Sequence, residues 1–386
     1  MVVSDNIVQN CSIGLQQRYR KGEYLNESDY LLNYTGSLFT FQDILRVEFH
    51  NNSFNGVYPF NNWDFYLTNS PFYKHLAHGV LTSFNSTQEA SNYINTDHSS
   101  AMIVASNVYD FNMYNCSLNN ALARRLADAV LLHSINGMKD LAVKQLSVSN
   151  LEYAYRELFN LRDISYAYYK YSRNPLKLKH NLSLQDVNIT LVTISPSEQL
   201  GKDASLLFNN LNGSLVLQDL NISNVQIHNI STQVPVAADI STRISGILQV
   251  EAEKIVINNL NVSLVDLRPT DSTLSPIGIQ MYNLSAIDPT SPLYTKPTLN
   301  IVNCRFKGIQ TAHAATIPIA QNLTAKGGLF SFYHDILEYD VNIMNTTFSQ
   351  TAASYLFDWA NKPSHVTVDP SIVTIFKTVG VNEEIG

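Results

Sequence analysis

The segment Leu184-Gln185-Asp186-Val187-Asn188-Ile189-Thr190 returns as Leu217-Gln218-Asp219-Leu220-Asn221-Ile222-Ser223. Both copies alternate apolar and polar residues, the period of a strand with one buried face. The same core, apolar-x-apolar followed by Asn and an apolar residue shortly after, recurs on either side. It reads Val8-Gln9-Asn10-Cys11-Ser12-Ile13, Phe49-His50-Asn51-Asn52-Ser53-Phe54 and Met113-Tyr114-Asn115-Cys116-Ser117-Leu118. Further on it becomes Asn259-Leu260-Asn261-Val262-Ser263-Leu264, Ile301-Val302-Asn303-Cys304-Arg305-Phe306 and Ile343-Met344-Asn345-Thr346-Thr347-Phe348. A copy with Ser147 in the Asn place, Gln145-Leu146-Ser147-Val148-Ser149, falls between them. Successive anchors at 10, 51, 115, 147, 188, 221, 261, 303 and 345 lie 32 to 42 residues apart, apart from one step of 64.

A second element precedes many anchors: one or two small residues and then an apolar triplet. Ala204-Ser205-Leu206-Leu207-Phe208, Ser245-Gly246-Ile247-Leu248 and Gly327-Gly328-Leu329-Phe330 are examples, and Ala129-Val130-Leu131-Leu132 holds the same place before Ser147. Leu118, Leu122, Leu126 and Val130 also fit a helical spacing, but the phase of the repeat favours a strand. Short period-two segments on a repeat of this length predict a parallel β-helix. Each repeat supplies one coil of short strands, stacked about 4.8 Å above the last. The expected fold class is all-β, a right-handed parallel β-helix of about nine or ten coils, in one domain over residues 1–386. The recurring Asn suits a turn between strands, because its side chain tolerates left-handed backbone and bonds to its equivalent above and below. The expected ladder is Asn10, Asn51, Asn115, Asn188, Asn221, Asn261, Asn303 and Asn345. Leucine-rich solenoids lack support because their strict Leu spacing is absent, and helical repeats need a 3.6 period that fails here.

Small-small-apolar-apolar followed by Asn-x-x-Phe, as from Gly327 to Phe348, resembles the pectin-lyase-like right-handed β-helix repeats. Such repeats occur in polymorphic outer-membrane proteins, adhesins and large eukaryotic surface glycoproteins. The resemblance implies a fold, and the fold hosts many functions.

Composition sets the surface and the compartment. Only 15% of the 386 residues are charged, against 41 Asn, 37 Ser and 24 Thr, with a net charge of −7. That argues against nucleic acid, which demands a basic face. No apolar run is long enough to span a bilayer. The chain opens on Met1-Val2-Val3-Ser4-Asp5 without a basic leader, so the sequons decide the compartment. Asn-x-Ser/Thr occurs 15 times in the chain. Composition alone gives roughly six or seven, and the excess points to a secreted or cell-surface glycoprotein carrying covalent N-glycans. Asn26, Asn33, Asn85, Asn212, Asn229, Asn283 and Asn322, in expected loops, are the candidate acceptors. Cys11, Cys116 and Cys304 each follow an anchor Asn, in coils too distant to bridge, and are expected as buried fillers.

Two stretches, about 55–100 and 151–180, break the repeat as aromatic-rich insertions. The first holds Tyr58, Phe60, Trp63, Phe65 and Tyr66; the second holds Tyr153, Tyr155, Tyr166, Tyr168, Tyr169 and Tyr171. They cover the cylinder's flank or stack on a glycan or protein. Among catalytic signatures, Asn95-Thr96-Asp97 matches the first element of polygalacturonase-like enzymes. The Asp-Asp pair, Gly-His-Gly and Arg-x-Lys that should accompany it are missing, and inverting hydrolysis requires two opposed carboxylates. No calcium-binding acidic cluster and no metal or cofactor motif is present. The expectation is a non-enzyme without cofactor: a β-helical rod in a surface fibril, coat or appendage. An adhesin-type glycan- or protein-binding module is the alternative, and a carbohydrate-active enzyme ranks third. Anchors begin at Asn10, and His365-Val366-Thr367-Val368 still reads as strand. Both ends are therefore expected to stack on further coils of a longer chain or on neighbouring copies.

Overall fold

The structure, a computed structural model, describes residues 1–13, 37–59, 101–123, 129–134, 138–153, 157–161, 180–194, 204–210, 215–232, 244–267, 276–281, 296–310, 328–333, 339–350, 355–359 and 365–369. Among them run β1 (Val2–Ser4), β2 (Ile7–Ile13), β3 (Phe39–His50), β4 (Ser53–Pro59), β5 (Ile103–Ala123), β6 (Leu132–Ser134) and β7 (Asp140–Tyr153). Then come β8 (Phe159–Leu161), β9 (His180–Gln185), β10 (Asn188–Ile194), β11 (Ala204–Asn209), β12 (Leu217–Thr232), β13 (Ile244–Asp266) and β14 (Ile277–Met281). The rest are β15 (Thr298–Val302), β16 (Arg305–Gln310), β17 (Gly328–Tyr333), β18 (Asp340–Met344), β19 (Thr347–Ser349), β20 (Tyr355–Trp359) and β21 (His365–Val368).

The protein is all-β, and these strands pair in parallel within one large sheet, with each repeat laid on the one before. Three columns result. One runs from β3 through β5, β6 and β8, then from β11 through β13, β14 and β17 to β20. The second passes from β1 through β3, β5, β7, β9, β12, β13, β15 and β18 to β21. The third links β2, β4, β5, β7, β10, β12, β13, β16 and β19. β5 and β13 cross all three columns without a break, whereas other repeats interrupt at the corners. Such stacking is that of a β-solenoid: every tier pairs only with its neighbours.

Alternation fills the interior. Segments 141–150 and 341–350 share one exposure pattern, in which Leu141, Val143, Leu146 and Val148 are buried as are Val341, Ile343, Thr346 and Phe348. Like side chains therefore stack on like. Phe306 pairs in register with Phe348 and lies 5.1 Å from it with rings 8° from parallel. Each fully buried Phe contributes about 1.5–3 kcal/mol by leaving water. The triplets expected as strands form β11, the start of β13, β17 and, from Leu132, β6. The helical alternative for Leu118 and Leu122 fails, since both lie in β5; Leu126 is outside the described residues.

Within the stretches read as insertions, β4 continues to Pro59, β7 to Tyr153, and β8 occupies Phe159–Leu161. Residues 60–100 and 162–179 are outside the described residues.

Candidate functional surface

The corners carry the most organised chemistry. Between the second and third columns, Asp5, Asn51, Asn115, Gln145, Asp186, Asn224, Asn259, Asn303 and Asn345 all have φ between 47° and 60°. Asn and Asp visit this left-handed region at least cost among residues with a side chain. One residue later the chain turns a buried side chain inward: Asn52, Cys116, Leu146, Val187, Val225, Leu260, Cys304 and Thr346. A second left-handed column closes the third strand, through Asn10, Gly56, Asn120, Asn150, Leu191, Asn229, Leu264, Gly308 and Gln350. At Gly56 an added Cβ would sit 2.6 Å from Asn10 Oδ1, so glycine there leaves room for the neighbouring amide.

The corner amides bond in one direction. Asn51 Nδ2 donates to Asp5 Oδ1 at 3.0 Å, and Asn115 Nδ2 donates to Asn51 Oδ1 at 2.8 Å. Asn224 donates to Asp186 at 3.0 Å, Asn259 to Asn224 at 2.9 Å and Asn345 to Asn303 at 2.6 Å. Each of these amides donates towards the N-terminal tier, and Asn51, Asn224 and Asn303 also accept from the next. The column steps sideways after Asn259, Asn303 Nδ2 donating to Asn258 Oδ1 at 3.1 Å. A carboxylate, which only accepts, stands at the foot of two of these runs, Asp5 and Asp186, and the Asn258 amide at the foot of the third. Asp43 plays the same part for Asn107 at 2.9 Å, and Asp140 for Asn181 at 2.6 Å. Hydrogen bonds from Ser4 and then Asn51 hold the Asp5 carboxyl below its ordinary pKa.

Four of the expected ladder residues, Asn51, Asn115, Asn303 and Asn345, occupy the first corner column. Asn10 stands instead in the second, opposite Gly56. The other three are displaced: Asn188 pairs with Gln226, Asn221 with Val256, and Asn261 with Arg305, all within strands. Their corner places belong to Asp186, Asn224 and Asn259. Asp186 and Asn259 lie two residues before Asn188 and Asn261, a shift that leaves the in-out alternation of a strand unchanged. Asn224 instead lies three residues after Asn221, the odd residue being absorbed at the corner where Ser223 and Asn224 both stay unburied. The legible signal was the Asp or Asn just before a buried apolar residue and one strand residue, as in Asp186-Val187-Asn188.

The cysteines need a parallel correction. Cys116 and Cys304 share the buried corner column and are free, whereas Cys11 pairs with Val57 in another column. Burial pushes the Cys304 thiol up to about 11 and raises Cys116 as well. Cys116 donates to the Tyr114 carbonyl at 3.4 Å and Cys304 to that of Val302 at 3.2 Å, so both act as small polarisable fillers at the turn.

Outside the core, the third column presents short uncharged groups from β4 to β10, while exposed Arg305 and Lys307 stand in the same rows further along. Ser53, Ser117, Ser147 and Asn188 lie in one row, with Asn55, Asn119, Ser149 and Thr190 beside it. Ser117 donates to Ser53 at 2.9 Å and Ser149 to Asn119 at 2.7 Å. Tyr114, stacked on His50 at 4.6 Å, stands at its edge. The second column is more charged. Asp110 pairs with Asp140, whose carboxylate meets Lys139 Nζ at 3.3 Å. Burial, then the Asp140 charge, raises the Asp110 carboxyl above its usual range.

Among the sequons, Asn51, Asn115, Asn181 and Asn345 have their amides engaged in ladder bonds. Asn188, Asn221 and Asn229 are exposed. The candidate acceptors Asn26, Asn33, Asn85, Asn212, Asn283 and Asn322 are outside the described residues, as is Asn95-Thr96-Asp97. No group of three or more His, Cys, Asp or Glu placed to hold a metal ion occurs among the described residues. No helix among them is long and apolar enough to cross a membrane. Comparison with protein-family models, curated proteins and solved structures finds no significant match to the chain.

Proposed function

We propose that the chain is a structural extracellular glycoprotein: a β-helical rod forming part of a surface fibril, coat or appendage. In this reading the parallel sheet is a right-handed, pectin-lyase-like helix of nine or ten coils. The handedness follows from the strong preference of parallel crossovers. One observation carries the proposal: amide ladders climb the outside of the stack from Asp5 to Asn115, from Asp186 to Asn259, and from Asn258 through Asn303 to Asn345. Short, uncharged, mutually bonded side chains make a surface suited to persistence and to mass contact, with no convergent pocket chemistry required. The excess of sequons supports export and N-glycosylation. Self-association end to end, or continuation into further coils, would cover β1, β2, β19, β20 and β21, each paired on one side only among the described residues.

The test is secretion from a eukaryotic host followed by intact-mass measurement before and after glycosidase treatment, with electron microscopy of the product. Rods carrying glycan mass are expected. An unglycosylated, retained protein overturns the reading. Glycan-array binding at the Tyr114 edge would favour the adhesin alternative.

A further inference from the structure

Leu191 and Leu264 are the anomalies of the surface. Each is 52% exposed, and each has a left-handed backbone, with φ of 56° and 53°. Leucine gains nothing from either condition, since left-handed backbone is costly for it and its apolar side chain faces water. Elsewhere this corner column is built from Asn, Gly or Gln. Between the two leucines stands Asn229, also left-handed at φ 59° and exposed. The pairings Thr190 with His228 and Val192 with Ile230 set Leu191 opposite Asn229 on one side. His228 with Ser263 and Ile230 with Val265 set Leu264 opposite it on the other. Three equivalent side chains therefore leave one corner in a row, about 4.8 Å apart, with the amide in the middle. Asn229-Ile230-Ser231 is a sequon.

Resting on the secreted-glycoprotein reading, we infer that Asn229 carries an N-glycan whose first sugar is seated between Leu191 and Leu264. A pyranose has an apolar face of C–H groups, and burying it against two half-exposed leucines removes apolar surface of both partners from water. The strain at the leucines is then offset by a contact that exists only in the modified protein. Leu264 also lies over Gly308, where an added Cβ would meet its Cδ2 at 3.4 Å.

The experiment is a double-mutant cycle on protein secreted from eukaryotic cells: wild type, Asn229→Gln, Leu191→Ser with Leu264→Ser, and all three changes together. Glycopeptide mapping should find Asn229 occupied. Asn229→Gln should lower the melting temperature by about 2 °C in the leucine background and leave it nearly unchanged in the serine background. The same cycle on bacterial protein, which lacks the glycan, should show no coupling. Occupancy at Asn229 without coupling to the leucines, or equal coupling in bacterial protein, overturns the inference while leaving the secretory reading intact. Glycan at other sequons with Asn229 empty overturns it too. No occupied sequon anywhere in the chain overturns both.

Discussion

The polarity of the corner ladder makes a sharp prediction for Asn115→Asp. The substitution keeps shape and tolerance of φ 52°, but replaces the Nδ2 donor with a carboxylate oxygen 2.8 Å from Asn51 Oδ1. One hydrogen bond is lost, worth about 0.5–1.5 kcal/mol net, and two acceptors are forced together. The total expected cost is about 1–2 kcal/mol at pH 7. Once protonated, the introduced carboxyl can donate again, so its folded pKa rises above the unfolded value near 3.9. A raised folded pKa places the loss above that pKa, and the deficit should shrink as pH falls through it. The reciprocal change, Asp186→Asn, keeps the Oδ1 acceptor for Asn224 and should alter stability by no more than about 0.5 kcal/mol. Urea unfolding of both variants at pH 7 and pH 4, followed by circular dichroism, measures the asymmetry. Equal effects of the two substitutions, or an Asn115→Asp deficit that persists at pH 4, would refute a one-way ladder.

Other consequences follow from strain, close approach and charge. In bacterial protein, Leu264→Asn should stabilise by about 1 kcal/mol through strain relief and a bond towards Asn229. Leu264→Gly should come out near neutral in the same urea titration, relief being offset by lost packing and added chain entropy. Gly246 has φ 81°, and a Cβ there would lie 2.5 Å from the Pro276 Cα. Gly246→Ala should therefore cost roughly 2 kcal/mol or more by thermal unfolding. The raised Asp110 carboxyl makes wild-type stability increase as pH falls through its folded pKa towards the ordinary value. Asp110→Asn should be the more stable protein at neutral pH, with the difference closing in acid; a gap that widens in acid contradicts the pairing with Asp140.

From the sequence alone came the period, the in-out alternation and the place of Asn in the turns. Those follow from local chemistry, since β-branched and aromatic residues at period two specify strands, and Asn accepts left-handed backbone. They suffice for an all-β stack with Phe on Phe. Register was decided only in three dimensions. Val187, Val225 and Leu260 bury at the corner, which draws Asp186, Asn224 and Asn259 into the ladder and leaves Asn188, Asn221 and Asn261 on strand faces. The two-residue offsets of Asp186 from Asn188 and of Asn259 from Asn261 preserve the in-out alternation, and the three-residue offset of Asn224 from Asn221 is absorbed at the corner, so the packing of neighbouring tiers separates the alternatives. The direction of the amides and the carboxylates at their feet, Asp5, Asp43 and Asp186, likewise arise from contacts between residues 38 to 64 positions apart. So does the seat at Asn229. Its two leucines lie 38 and 35 residues away in the chain and become its neighbours only when the tiers stack.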